Sequence, residues 1–343
     1  MGPTPLLSII VIGYQMPRQL GQTLFTLSEA YQQDVSANDY EVIVVENDSD
    51  RMLSPEKVNL MGNNFHYFTY HEKGQSPVAA INFAFEKCQG DFIGLLIDGA
   101  HMVTPRVVKY ALTAYRAFDY PVVVVPGYHL GAERQTQDPT YTQEYEQQIL
   151  EELNWQQNGY KLFEVAGFSP ANKHSYFHPV MECNCVFAPL ISFERIGYCD
   201  EGFNLKGGGS INLHVYRQLA TLLESEIVVL PGEGSFHQFH GGVTTSDYSG
   251  RSEEILSHNK QLNALWDGRF KSVSKEPVLL GAVTYWAQGF LQKSSKGARR
   301  RHERLRSLSR DEWEDGVNAD PTIPAKSVAE AKVCLAKRKK SSL

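Results

Sequence analysis

The sequence predicts an α/β fold built on a doubly wound, mainly parallel, Rossmann-like sheet, and three observations predict it. Apolar runs of strand length alternate with stretches of helical periodicity. Each run breaks into polar residues at its carboxyl end, where a doubly wound sheet places its ligands. A chain of 343 residues, 42% apolar, can bury the core that such a sheet needs.

The elements follow in order. "LLSIIVIGY" reads as a buried first strand, and Pro17 opens a helix with Leu20, Leu24, Leu27 and Tyr31 at helical spacing. "YEVIVVENDSD" is a second buried strand that ends in turn residues, and "NFHYFTYHE" is a third. "SPVAAINFAFEKCQG" is a helix ended by Gly90, and "DFIGLLIDGAH" is the fourth strand. Their carboxyl ends are Gly13-Tyr14, Glu46-Asn47-Asp48 and Asp98.

A lone carboxylate driven out of a buried strand is costly unless it meets a cation or hydrogen-bond donors. Asp98 therefore reads as a metal or ribose ligand, with Glu46 facing the same crevice from a neighbouring strand. No GxGxxG follows the first strand and no GxxxxGK[ST] occurs, so phosphates would need another counterion. A divalent metal held by carboxylate and imidazole at the end of the fourth strand would supply it.

Composition narrows the class further. No segment has the roughly 18 to 20 continuous apolar residues of a membrane span, and the N-terminus lacks signal-peptide features, which predicts a cytoplasmic protein. Five cysteines scattered over the chain do not make a disulfide framework, and Cys183 and Cys185 read as alternating strand residues. From Gln292 onward the chain carries a charge of +7, whereas the preceding body carries −13. So acidic a body predicts no nucleic-acid partner. The basic tail is either a solvated helix or a surface for anionic lipid or a polyanion.

At this point the residues resemble a known family. "SIIVIGYQMPRQLGQTLFTL", "YEVIVVENDSD", "EKGQSPVAAINFAFEKCQGDFIGLLIDGAHMVTPRVV" and "MECNCVFAPLISFERIGYCDEGFN" together are similar to the family 2 glycosyltransferases of GT-A fold. The resemblance spans about residues 5 to 245. It implies a nucleotide-binding half at about 5–125 and an acceptor half at about 126–250, with a helical, basic extension at 251–343. It implies transfer from a nucleotide sugar, a UDP-sugar first, to a glycan, a lipid-linked glycan or a growing polysaccharide. A divalent metal, Mn²⁺ or Mg²⁺, would assist the leaving group. Residues that map onto the nucleotide site are Gly13, Tyr14, Glu46, Asn47, Ser49, Gly74, Gln75, Pro77 and Asp98. Asn184, Gly208 and Gly209 fall on the acceptor side.

Two departures from the family pattern stand out. The DxD metal motif falls on Asp98-Gly99-Ala100, so its second carboxylate is missing, and His101, His237 and His240 are the candidate ligands to replace it. The Glu-Asp pair that inverting members carry after a glycine-rich loop falls on Gly209-Ser210, neither of which is a general base at neutral pH. Glu182, Glu201 and Asp200 are the nearest carboxylates that could take over. A retaining transfer, in which the donor phosphate accepts the proton, and a degenerate domain that binds nucleotide, glycan or a partner without chemistry are the alternatives. Beyond Gly250, "SEEILSHNKQLNALWDGRF" predicts a helix capped by Ser252, and "PVLLGAVTYWAQGFLQ" an amphipathic helix leading into the basic run. Tyr285 and Trp286 beside Lys and Arg would suit peripheral contact with the inner face of a membrane, and packing on a second subunit is the alternative use.

Overall fold

The structure is a computed structural model that describes residues 5–71, 76–131, 134–169, 176–177, 184–240, 251–266, 273, 275–309 and 325–341. Its first half runs β1 (Leu7–Gly13), α1 (Pro17–Thr26), β2 (Tyr40–Asn47), α2 (Pro55–Asn59), β3 (Phe65–Tyr70), α3 (Val78–Lys87), β4 (Phe92–Leu96), β5 (His101–Val103), α4 (Val107–Ala117), β6 (Pro121–Val124) and β7 (Gly127–Leu130). The second half runs α5 (Arg134–Gln137), α6 (Gln143–Leu153), β8 (Ala166–Phe168), β9 (Cys185–Pro189), α7 (Leu190–Ile196), α8 (Ile211–Ala220), β10 (Glu226–Val229), β11 (Ser235–His237), α9 (Arg251–Leu265), β12 (Val278–Leu279), α10 (Gln288–Ser307) and α11 (Val328–Ser341). Short 3₁₀ turns span Gly159–Val165, Lys206–Gly208 and Tyr285–Ala287.

Eight strands form one sheet in the order β12-β10-β6-β9-β4-β1-β2-β3, and only β9 runs antiparallel to its neighbours. β1, β2, β4 and β9 are buried along their whole length. Helices cover both faces of this sheet, which divides the core into two apolar clusters. A second sheet, β5-β11-β7-β8, stands at the carboxyl end of β4.

Two expected boundaries moved. α1 begins at Pro17 but stops at Thr26; Tyr31 lies in the following turns, still buried, with its ring edge-on to Phe25 and Trp155 at 5.8 and 5.9 Å. α3 ends at Lys87 with Cys88 extended, so Gly90 is not its cap. Gly90 serves a close approach instead: a Cβ there would come 2.8 Å from the Ser8 backbone nitrogen.

The region after residue 250 begins within helix but is not helical throughout. Pro277 to Gln292 does not form one helix: Val278 and Leu279 pair with Val228 and Val229 as the edge of the large sheet, and Gly281 at φ +103 breaks the chain before the 3₁₀ turn. α9 includes Ser252 and sends Leu262 into the main core, next to the buried Trp266. α10 buries Phe290, Ser294, Gly297 and Leu305 along one stripe and carries seven Lys and Arg against one Glu. Phe290 packs on Tyr128, Phe163 and Phe168, with centroids 4.9, 5.6 and 5.0 Å away. No described helix is long and apolar enough to cross a membrane.

Candidate active site

Asp98 leaves the carboxyl end of β4 where the sequence places it. Gly99 makes this exit work: its N–H donates to the Ile12 carbonyl at 2.7 Å, and a Cβ would stand 2.6 Å from that oxygen. The turn is thus pinned to the end of β1, and Asp98 Oδ1 accepts the Ala100 N–H at 2.9 Å. Ala100 is fully buried in the second apolar cluster. A carboxylate at that position would lie in an apolar core, which accounts physically for the missing second acid.

The histidines arrive from β11 and its continuation. Asp98 Oδ2 lies 3.2 Å from His240 Nε2 and 3.8 Å from His237 Nε2, and the two imidazole nitrogens are 3.2 Å apart. The three side chains offer ligand atoms all within 4.8 Å of one another. Burial alone would raise the Asp98 carboxyl, but the charge of His240 and the bonds to both histidines hold it well below the usual carboxylate range. Burial would lower His240, and Asp98 overrides it and raises that imidazole. Burial pushes His237 down, so it is the neutral partner.

His101 stands beside this set rather than in it. Its Nδ1 bonds Ser235 Oγ at 2.9 Å, and its ring lies 5.1 Å from that of His237. Burial, followed by the nearby His237, pushes it down to about 3, so it is a neutral wall of the site.

Residues distant in sequence hold the histidine strap. The Phe239 N–H donates to both Glu146 oxygens at 3.1 and 2.8 Å, while the Phe239 carbonyl accepts from Gln19 Nε2 at 2.7 Å and Arg18 at 3.3 Å. Gln135 Oε1 meets His237 Nδ1 at 3.0 Å. Glu146 is fully buried, and burial pushes its carboxyl up to about 7 against the Phe239 N–H and Arg18. Sequence reasoning missed Arg18, Gln135 and Glu146, because only long-range pairing reveals them.

A cavity of about 190 Å³ opens beside the cluster. Asp98, His101, His129, Ser235 and His237 line it together with Ser169, Asn184, Gly207, Gly209, Ile211 and Asn212. His129 was also missed. The signal was register: His101, His237 and His129 are successive partners across β5, β11 and β7, so period-2 geometry puts all three on one face. Asn184 accepts from Asn212 Nδ2 at 2.9 Å.

The glycine-rich loop is shaped by its backbone. Gly207, Gly208 and Gly209 have φ of +68, +80 and +58, a run that other residues rarely adopt. A Cβ on Gly208 would meet Pro77 at 3.0 Å, which places the glycine-rich loop directly against the start of α3. α9 closes it from outside: Gln261 Nε2 donates to the Gly202 carbonyl and to Asn204 Oδ1, each at 3.0 Å.

The remaining expected residues fall in three groups. On the nucleotide side, Gly13 packs against Glu46, since a Cβ would stand 2.8 Å from Glu46 Cγ; Tyr14 is half exposed, Asn47 is buried, and Ser49 bonds Arg51 within its turn. Glu46 Oε2 accepts from Leu53 N–H and Tyr67 O–H, both at 2.9 Å, while the buried Oε1 has no hydrogen-bond partner among the described residues. Burial raises the Glu46 carboxyl despite those two bonds. Asp200 caps its own turn by accepting the Gly202 N–H at 2.8 Å, and Glu201 is exposed; neither lines the cavity. Glu182, Gly74, Gln75 and Cys183 lie outside the described residues.

An open, mainly parallel sheet with one reversed strand and a carboxylate-imidazole cluster at its ligand end defines the class as a GT-A glycosyltransferase fold. The chain belongs to glycosyl transferase family 2, whose model matches residues 8–179. Among solved structures it is similar to residues 1–349 of TarS from S. aureus, at 13% identity and a TM-score of 0.50, covering 88% of this chain and 73% of that one. The same TarS region in complex with UDP-GlcNAc matches at 13% identity and 0.48, covering 87% and 72%. The mannosyltransferase PcManGT from Pyrobaculum calidifontis, in complex with GDP-Man and Mn²⁺, matches at 12% identity and 0.47, covering 99% and 81%. No curated protein matches the chain.

Proposed function

We propose that this protein transfers a sugar from a nucleotide-sugar donor, a UDP-sugar first, to a glycan acceptor, with a divalent metal held by Asp98, His237 and His240. The convergence of these three side chains beside a polar cavity carries the reading. A donor set of one carboxylate and two imidazoles suits Mn²⁺ better than Mg²⁺, which prefers oxygen ligands. When bound, the ion supplies positive charge where the departing nucleoside diphosphate becomes more negative.

The chain's own residues do the rest. Glu46 has a buried oxygen with no partner among the described residues, open to a donor N–H or hydroxyl of the nucleoside, and Pro77 and Gly208 bring the donor and acceptor walls together. Asn184, Asn212 and Ser169 would meet the acceptor sugar with amide and hydroxyl groups, and His129 lines the same cavity. The fixed backbone of Gly207 to Gly209 keeps that wall in place and limits the water that could intercept the sugar.

One observation favours a second reading. Asp98 is the only carboxylate among the described lining residues, and it belongs to the cluster. With Asp200 and Glu201 off the cavity, proton removal falls to Glu182 or to the donor's own phosphate, the retaining route. A binding domain without chemistry is the remaining alternative. Calorimetry against UDP, GDP, dTDP and CMP, with and without Mn²⁺, followed by product detection with the matching nucleotide sugars, decides among these. Metal-dependent binding of one nucleotide that Asp98→Ala abolishes, together with turnover, is the expected outcome. Binding without turnover supports the binding domain, and no binding of any nucleotide overturns the donor site.

A further inference from the structure

The hydrogen bonds behind His237 fix which of its nitrogens carries the proton. The carbonyl oxygen of His237 can only accept, and it lies 2.7 Å from the side-chain nitrogen of Gln135. That nitrogen also donates to Glu146 Oε2 at 3.2 Å, so the amide is oriented with both donors engaged. Its oxygen is then the atom 3.0 Å from His237 Nδ1, and an amide oxygen has no proton to give. Nδ1 must therefore carry the hydrogen, which leaves a lone pair on Nε2, aimed at His240 and Asp98.

Glu146 completes the device. Its Oε2 accepts from both Gln135 and the Phe239 N–H, and Phe239 lies between His237 and His240, directly before the latter. One buried carboxylate thus orients the amide that selects the tautomer and also fixes the peptide that spaces the two imidazoles.

We propose that Gln135 and Glu146 are positioning residues that lock His237 as the Nδ1–H tautomer and so present its Nε2 as a ready metal ligand. This rests on the metal-site reading above, but the tautomer is a property of the metal-free protein and is tested separately. Outer-shell partners of this kind change metal affinity by about 10- to 100-fold.

The first measurement is long-range ¹H–¹⁵N correlation NMR on metal-free, histidine-labelled protein, with the His237 signals assigned by their loss in His237→Gln. A protonated Nδ1 and an unprotonated Nε2 are expected; a protonated Nε2 overturns the proposal whatever any variant does. Gln135→Leu, close in size but unable to accept, should lose the single-tautomer pattern and bind Mn²⁺ about 10- to 100-fold more weakly by electron paramagnetic resonance titration. Gln135→Glu keeps the acceptor while placing a second carboxylate against Glu146, so it should restore the tautomer and part of the affinity. If both variants bind Mn²⁺ as the parent does, the positioning role fails. If the parent shows the tautomer but binds no Mn²⁺, the metal-site reading fails and the tautomer lock stands.

Discussion

The large sheet and the small sheet of this molecule solve their positioning problems differently. In the large sheet, site residues sit at the ends of buried parallel strands, and the sheet itself aims them: Gly13 ends β1, Glu46 lies near the end of β2, and Asp98 follows β4. In the small sheet, three-residue strands do the aiming, and side-chain networks fix what the short strands cannot. A site built on a large sheet tolerates local change, whereas one built on a strap of hydrogen bonds depends on each of them.

The largest effect should come where the two sheets meet. His240→Ala removes one of the three proposed metal donors and the partner of Asp98, and is expected to weaken Mn²⁺-dependent nucleotide binding by about 100-fold or more, read by calorimetry. Undiminished binding would mean the large sheet binds nucleotide without the strap. On the proposed acceptor wall, Asn184→Ala and Asn212→Ala should raise the acceptor KM about tenfold per lost hydrogen bond while nucleotide affinity stays put. A matching fall in nucleotide affinity would show that the two sites do not act separately.

Backbone strain should distinguish them next. Gly209→Ala is expected to cost about 1 to 3 kcal/mol, seen as a lower Tm, because φ +58 with ψ −120 penalises any Cβ. Gly21, whose added Cβ would make only an ordinary 3.8 Å contact with Leu53, sits inside α1, and Gly21→Ala should raise Tm slightly.

The smallest effect concerns pH. Burial raises the Glu46 carboxyl in the fold, so between its unfolded and folded values the native state binds more protons than the unfolded chain. Stability then falls as pH rises from the ordinary carboxylate range through the folded value. Glu46→Gln keeps an oxygen for Leu53 and Tyr67 and puts its amide where Oε1 had no partner. Thermal melts should show the variant ahead by on the order of a degree or two at pH 8, with the gap closing toward pH 4. A constant gap would show that the charge is not the cause.

The same contrast explains what could be read from sequence. The first four strands and Asp98 were legible because long apolar runs ending in polar residues are local signals. His237 and His240 were legible because two histidines three apart among glycines are uncommon. His129 was not, because "GYHL" gives no hint that it lines up with His101 and His237 across two other strands. Gln135 and Glu146 were invisible because their meaning depends on contacts with Phe239 and His237, about a hundred residues away. β12 was taken for helix because two residues are too few to show a period, and its pairing with β10 decides their state.

The left-handed glycine run also bears on history. A lineage with this loop cannot easily regain a family-type acid at position 209: φ +58 with ψ −120 lies outside what a glutamate backbone adopts, and the Gln261 oxygen occupies the space. Three residues on, Asn212 already lines the cavity from an ordinary helical turn, one nucleotide substitution from aspartate. Selection for a protein base would find its open path there, and the loop's own geometry would have steered it.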